Sequence, residues 1–271
     1  MPRLPLKAAG ILSVSLVPAS VLTGCGTFDD VPRGTTSLLQ VLTPQTTPSE
    51  AAEMATDPYS AENRFKGTTL LSNADFGGSP VYLDLYLDGV DDPDPGVRTA
   101  SIRALGRHGD PEHAPLIIAG LEDENRLVRI EAARALQRVH SSDAVTPLIA
   151  AVNIDNESDA DVRAAAADAL GQYQENRVVQ ALIGALRDPR LVVNNRVQKS
   201  LRTLTGQNFG IERRMWIDWY NETEDVFAAA QPYTYPIFHR KRRPIEYLPL
   251  VPAPPNETTS TPVGLDPLID D

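Results

Sequence analysis

The chain has 271 residues, 36 of them acidic and 25 basic, for a formal net charge of −11. Nucleic-acid binding needs a basic footprint to neutralise phosphates, so this balance argues against DNA or RNA as a partner and against direct attraction to anionic lipid. Apolar residues concentrate between about Val81 and Leu204, and the flanks are rich in Pro, Thr, Ser and charge, which predicts one folded domain between a tether and a tail.

The N-terminus carries Arg3 and Lys7, then a mostly apolar run from Ala8 to Leu22 interrupted by Ser13, Ser15, Pro18 and Ser20. The run is too short and too broken for a transmembrane helix, which takes about 20 apolar residues. A basic start, a short apolar stretch and small residues after it are the parts of a secretory signal. The run ends in Leu22-Thr23-Gly24-Cys25, and Cys25 is the only cysteine of the chain. This string resembles a bacterial lipobox. The resemblance implies residues 1–24 as a lipoprotein signal peptide and Cys25 as the lipidated first residue of the mature chain, with palmitate among its acyl chains. Two or more chains anchor stably where one is marginal. No cysteine then remains for a disulfide or a thiolate nucleophile. Arg3 and Lys7 are the only charges ahead of Cys25, so the mature chain has 23 basic against 36 acidic residues. Gly26 stands where an aspartate signals inner-membrane retention in some bacteria, which points to the outer membrane. Residues 25–60 read as a disordered tether rich in Thr, Pro, Ser and Gln, with one helical turn over Ser49 to Met54. Residues 61–90 read as an N-terminal cap region.

From residue 91 to 210 a phrase recurs. Val97-Arg98-Thr99-Ala100-Ser101-Ile102-Arg103-Ala104-Leu105 aligns with Val128 to Leu136, with Val162 to Leu170 and, decayed, with Val193 to Leu201. A fixed period of this size marks a stacked repeat array. Small or apolar residues at i, i+3, i+4, i+7 and i+8 make one helical face, as in Val162, Ala165, Ala166, Ala169 and Leu170. A second phrase follows each first: Pro115-Leu116-Ile117, Pro147-Leu148-Ile149 and Ala181-Leu182-Ile183. Each repeat is therefore two antiparallel helices joined by a turn. An acid stands five residues before each valine (Asp92, Asp123, Glu157, Asp188), and an arginine one residue after it in three copies (Arg98, Arg129, Arg163). Stacking places these arginines in a ladder near the acids of adjacent repeats, which Asn194 breaks in the last copy. The set resembles the HEAT-like repeat of the phycobilin-lyase type over about Val81 to Leu204. The resemblance implies an all-α fold: a short right-handed α-solenoid of about four helix pairs with terminal caps and disordered flanks.

Ser79 to Asp88 reads as the second helix of an incomplete first repeat, although Val81, Leu83, Leu85 and Leu87 also alternate like a strand. Residues 211–230 carry Trp216, Trp219 and Tyr220 on one helical face. They read as a capping helix, with an aromatic ligand platform as the sharper alternative. Residues 231–271 form a Pro-rich extended tail, too apolar for a plain solvated segment: an arm lying on the solenoid, or a partner-binding segment. Its basic cluster His239 to Arg243 is expected to pair with the acidic solenoid, with contact to anionic lipid, a peptide partner or wall polymer as the alternative.

Candidate chemistry is sparse. His108-Gly109-Asp110-Pro111-Glu112-His113 holds metal-ligand residue types, but Gly-Asp-Pro is turn chemistry at an inter-helix position. Asp155, Glu157, Asp159 and Asp161 alternate like a calcium loop, but Ala160 and Ala166 occupy the glycine and glutamate positions, leaving an acidic solvated loop. There is no phosphate-binding glycine loop, nucleophile elbow or paired carboxylate at catalytic spacing. No catalytic, cofactor or metal residue is assigned, and Cys25 is the one site residue. The expected function is a non-catalytic, lipid-anchored scaffold of the bacterial cell envelope, facing the periplasm or exterior. It binds a protein or peptide partner through the solenoid, by contact residues the sequence leaves unknown. The alternatives are a purely structural envelope component, or a ligand-handling or lyase-like enzyme. Some relatives of this repeat type act on tetrapyrroles. Others act on alkylated DNA and need a basic surface that this chain lacks.

Overall fold

The computed structural model describes residues 46–235, 241–248, 251 and 259–265. The chain separates into two units: Pro44–Arg240 with Asn256–Asp271, and Met1–Thr43 with Lys241–Pro255. Cys25, the signal and most of the expected tether lie outside the described residues, as do His239 and Arg240 of the basic cluster. In the smaller unit a single 3-10 turn, Pro244–Tyr247, is held by the Arg243 N–H donating to Glu246 Oε2 at 2.6 Å.

The larger unit is all-helical among the described residues. Its α-helices are α1 Pro48–Ala55, α2 Ala61–Asn73, α3 Pro80–Gly89, α4 Pro95–His108, α5 Ala114–Ala119, α6 Arg126–Ala135, α7 Val145–Val152, α8 Ala160–Leu170, α9 Asn176–Ala185, α10 Leu191–Thr205 and α11 Arg213–Glu222. One row stacks α2 on α4, α4 on α6, α6 on α8 and α8 on α10. The second row is α3, α5, α7, α9 and α11, in which α9 packs on both α7 and α11. This is a solenoid of five helix pairs. Its core is one continuous layer of side chains, with Ile102, Leu105, Leu136, Leu148, Leu170 and Leu201 all buried.

Alanine sets the close spacing of the first row. Ala132, Ala133, Ala166 and Ala167 are fully buried, and a Cβ on Gly106 of α4 would collide with Ala135 of α6. The helices are started by side chains that satisfy otherwise orphaned N–H groups. Asp94 accepts from the Gly96 and Val97 N–H, Asn125 from Leu127, and Asp159 from Asp161 and Val162. Gly206 ends α10 at φ 69°, a left-handed conformation that costs glycine nothing.

Several expectations change at the ends. Residues 46–60 are not all a tether: Pro48–Ala55 is a two-turn helix with a Thr47–Glu50 capping box, and Ala51 and Ala55 bury against α2. Ser79 to Asp88 is helix, and α2 supplies the first helix of its pair. The repeat phrase is hidden in α2 because Asn63, Lys66 and Leu70 replace the valine and two alanines, while Arg64 and Leu71 keep their places. Helix α11 completes the fifth pair. Its Trp216 is fully buried, donates from Nε1 to the Gly210 carbonyl at 2.9 Å, and packs edge-on against Phe209 and Trp219.

The described parts of the tail within the larger unit lie along the helices as an extended strap. Gln231 N–H donates to the Thr203 carbonyl at 2.7 Å and the Tyr233 hydroxyl to the Asp168 carbonyl at 2.9 Å. Tyr235 then bridges to Ser260, and Val263 pairs with Arg138 and His140. The strap thus crosses α10 and α8 and reaches the end of α6.

Candidate functional site

The arginine ladder runs along the loops that enter the first-row helices. Arg64 Nε donates to Asp92 at 2.7 Å, Arg98 to Asp123 at 2.8 Å, Arg129 to Glu157 at 2.7 Å and Arg163 to Asp188 at 2.6 Å. Each arginine reaches forward to the next repeat with Nε and Nη2. With Nη1 it also bonds a carbonyl of its own entry loop: Asp57, Asp92, Asp123 and Glu157 in turn. Each acid in turn accepts the N–H two residues on, as Asp92 does from Asp94 and Asp188 from Arg190. One unit of three contacts therefore joins every pair to the next. Asn194 makes only the backward half, donating to the Asp188 carbonyl at 2.9 Å.

Burial alone raises the Asp92 and Asp123 carboxyls. The hydrogen bonds from Arg64 and Arg98 and from the loop N–H groups outweigh it, and both acids lie below the ordinary carboxylate range. The Arg163–Asp188 pair is the most enclosed, with side chains 3% and 2% exposed. The ladder is structural: every described acid and base in it has a partner, and none is left to act on a substrate.

An open surface lies on the second row. Between α7 and α9 a groove of about 290 Å³ is lined by Ile149, Val152, Ala181, Gly184 and Ala185, with Asn153, Ile154, Arg187 and Asp188 around it. The two charged groups are engaged, Arg187 with Asp155 and Asp188 with Arg163. The groove offers apolar contact and no nucleophile or general base. A Cβ built on Gly184 meets nothing within 4 Å. Burial shows that the register of the second phrase shifts by one in its first copy. Ile117, Leu148 and Leu182 are the fully buried counterparts, and Leu116 is 38% exposed. In this corrected register the groove position is Ala119, Ala150 and Gly184 in three consecutive pairs, a signal that the Pro-Leu-Ile alignment obscured.

The other residues singled out in the sequence separate. Asp155 pairs with Arg187, Glu157 with Arg129, and Asp159 caps α8 and faces Arg126 at 3.6 Å, so the calcium-like run does not converge on one point. Asp110, Glu112 and His113 do bring their ligand atoms within 4.8 Å of one another. There His113 Nδ1 accepts the Asp110 N–H at 2.9 Å, which closes the turn into α5. His108 is bonded to the Ser72 carbonyl and does not join them. Trp219 and Tyr220 are half-buried: Trp219 packs on Trp216 and Phe209, and the Tyr220 hydroxyl accepts from Gln180. No described helix is long and apolar enough to cross a membrane.

These features define an α-solenoid of HEAT-like helix pairs. Residues 83–160 and 118–202 match the family model described as HEAT repeats. Among solved structures, the chain is similar to the complex of CpcE and CpcF of phycocyanin lyase from Nostoc sp. PCC7120. That match has 21% identity and a TM-score of 0.43, and covers 56% of this chain and 96% of that one. It is also similar to YibA from Escherichia coli, with 20% identity, a TM-score of 0.47, and 65% of this chain and 68% of that one covered. No curated protein matches the sequence.

Proposed function

We propose that this protein is a lipid-anchored scaffold of the bacterial envelope that binds a protein or peptide partner through its HEAT-like solenoid, without catalysis. The observation that carries the reading is the apolar groove between α7 and α9. Its α9 side is formed by the small residues Ala181, Gly184 and Ala185, its charges are already paired, and it suits the insertion of an apolar side chain from a partner. Helix pairs in solenoids stack into extended surfaces of this kind. The lipobox-like string ending at Cys25 supports the anchor, and the net negative charge supports a protein partner over a nucleic acid. The test is photocrosslinking in intact cells from a probe residue at position 184, with the mass of the N-terminal peptide read in the same spectra. A discrete protein adduct that disappears when Ala181→Trp fills the groove is the expected result. Absence of any adduct overturns the partner reading, and an unacylated Cys25 overturns the anchor.

A further inference from the structure

The first-row helices carry a second line of charge besides the ladder. Counting from the repeat valine, position i+6 is Arg103, Arg134, Asp168 and Lys199, and position i+3 is Ala100, Glu131, Ala165 and Arg196. Glu131 is held by Arg103 at 3.0 Å and by Arg134 at 2.7 Å. Helix α8 departs from its neighbours twice on this face. It places an acid where the other copies place a base, and alanines at 164 and 165 where α6 has Ile130 and Glu131.

Those departures open a cavity of about 260 Å³ over α8, floored by Ala164 and Ala165. Arg134 and Arg138 line it from the α6 side, Arg196 from α10, and Tyr235 from the strap. The Arg138 guanidinium lies 4.9 Å from the Tyr235 ring centroid. Asp168 lines the same cavity and is more than nine-tenths buried. Its Oδ2 forms an ion pair with Arg196 at 3.1 Å, but its Oδ1 has no hydrogen-bond partner, and the Lys199 ammonium is 3.9 Å away. A buried acceptor left unbonded is costly, and such departures from local consistency concentrate at functional sites.

Three guanidiniums against two carboxylates, Asp161 and Asp168, give the cavity a positive balance that selects an anion even though the protein as a whole is acidic. A guanidinium has five donors, so Arg134 and Arg196 keep donors beyond their present pairs. The carboxylate of Asp168 selects a donor or a cation a short distance away. The cavity is smaller than the ~300–1,000 Å³ of drug-sized sites. We propose that this cavity binds a small zwitterion of the α-amino-carboxylate class. Its carboxylate is held by Arg134 and Arg196 and its ammonium by Asp168, with Tyr235 closing one side. The site is separate from the second-row groove and does not depend on a protein partner.

The test is isothermal titration calorimetry on the full chain in detergent micelles, with alanine, acetate and ethylamine as probes. Alanine is expected to bind saturably, with acetate and ethylamine each at least about tenfold weaker. Asp168→Asn is expected to remove alanine binding, and so is Ala165→Leu, which fills the floor without altering any charge. Circular dichroism melts confirm that each variant is folded. Equal binding of acetate and alanine makes the cavity an anion pocket only and overturns the proposal. Unchanged alanine binding in folded Ala165→Leu also overturns it, as does the absence of saturable heat with alanine.

Discussion

Two lines of charge cross the same first-row helices, and they are built on opposite principles. The ladder at the helix entries repeats one contact unit four times with the same signs, from Arg64–Asp92 to Arg163–Asp188. The second line changes sign at α8 and leaves a buried carboxylate oxygen without a hydrogen bond. A periodic network in which every group is satisfied serves stacking, because each pair must present the same joint to the next. The aperiodic one also joins neighbouring helices, through Arg103–Glu131 and Arg196–Asp168, but its break in pattern marks the single repeat where the surface has another use. The same helix therefore carries a generic edge and an individual face.

The comparison is sharpened most by Arg163→Ala. It leaves Asp188 buried and uncompensated, and removing one member of a buried pair costs about 3–5 kcal/mol. A urea denaturation midpoint should fall accordingly, whereas the same change at Arg64, whose pair with Asp92 is less enclosed, should produce a smaller fall. Equal losses would show that the ladder does not act through burial. Next in size is Gly206→Ala, expected to cost more than about 1 kcal/mol. The residue sits at positive φ, and an added Cβ runs into the Ala229 backbone. Tyr233→Phe should cost about 1 kcal/mol in the same assay, by deleting the hydroxyl bond to the Asp168 carbonyl while keeping the buried ring. No change there would mean the strap is held without that bond.

The smallest effect per group is the response to acid. Asp92 and Asp123 have folded values below the ordinary 3.8, and Glu131 lies below 4.5 because Arg103 and Arg134 outweigh its burial. Their contribution is present above those ordinary values and is lost as pH falls through the lower folded ones. Asp168 has the opposite sign: burial raises its carboxyl despite Arg196, Lys199 and Arg134, so its contribution falls as pH rises through the raised value. Melting temperatures between pH 5 and pH 2.5 should fall for the wild type. Asp123→Asn should flatten that fall, and Asp168→Asn should not.

Much of this was legible in the sequence. The valine, arginine and alanine spacing announces the first-row helices, and the acids five residues before each valine announce their partners, because both recur at a period the chain cannot hide. Helix α2 escaped because its buried side is Gly67, Thr68, Leu71 and Ser72, which makes no apolar stripe. A guide was present all the same: Arg64 precedes Arg98 by the 34 residues that also separate Arg129 from Arg163. The sign change at Asp168 stands in the aligned phrases too. Its meaning does not, because nothing local shows that Arg196 takes one oxygen and leaves the other.

What the sequence by itself determined was the class of fold and the joint between repeats, since both follow from local periodicity and nearest-neighbour contact. What only the tertiary structure decided was which surfaces stay open. Tyr233 reaches Asp168 across 65 residues of chain, and Tyr235 comes to lie over Arg138. Neither contact has a period or a spacing to read, because a strap's position depends on where five stacked helix pairs present their edges, and those edges exist only once the stack has formed.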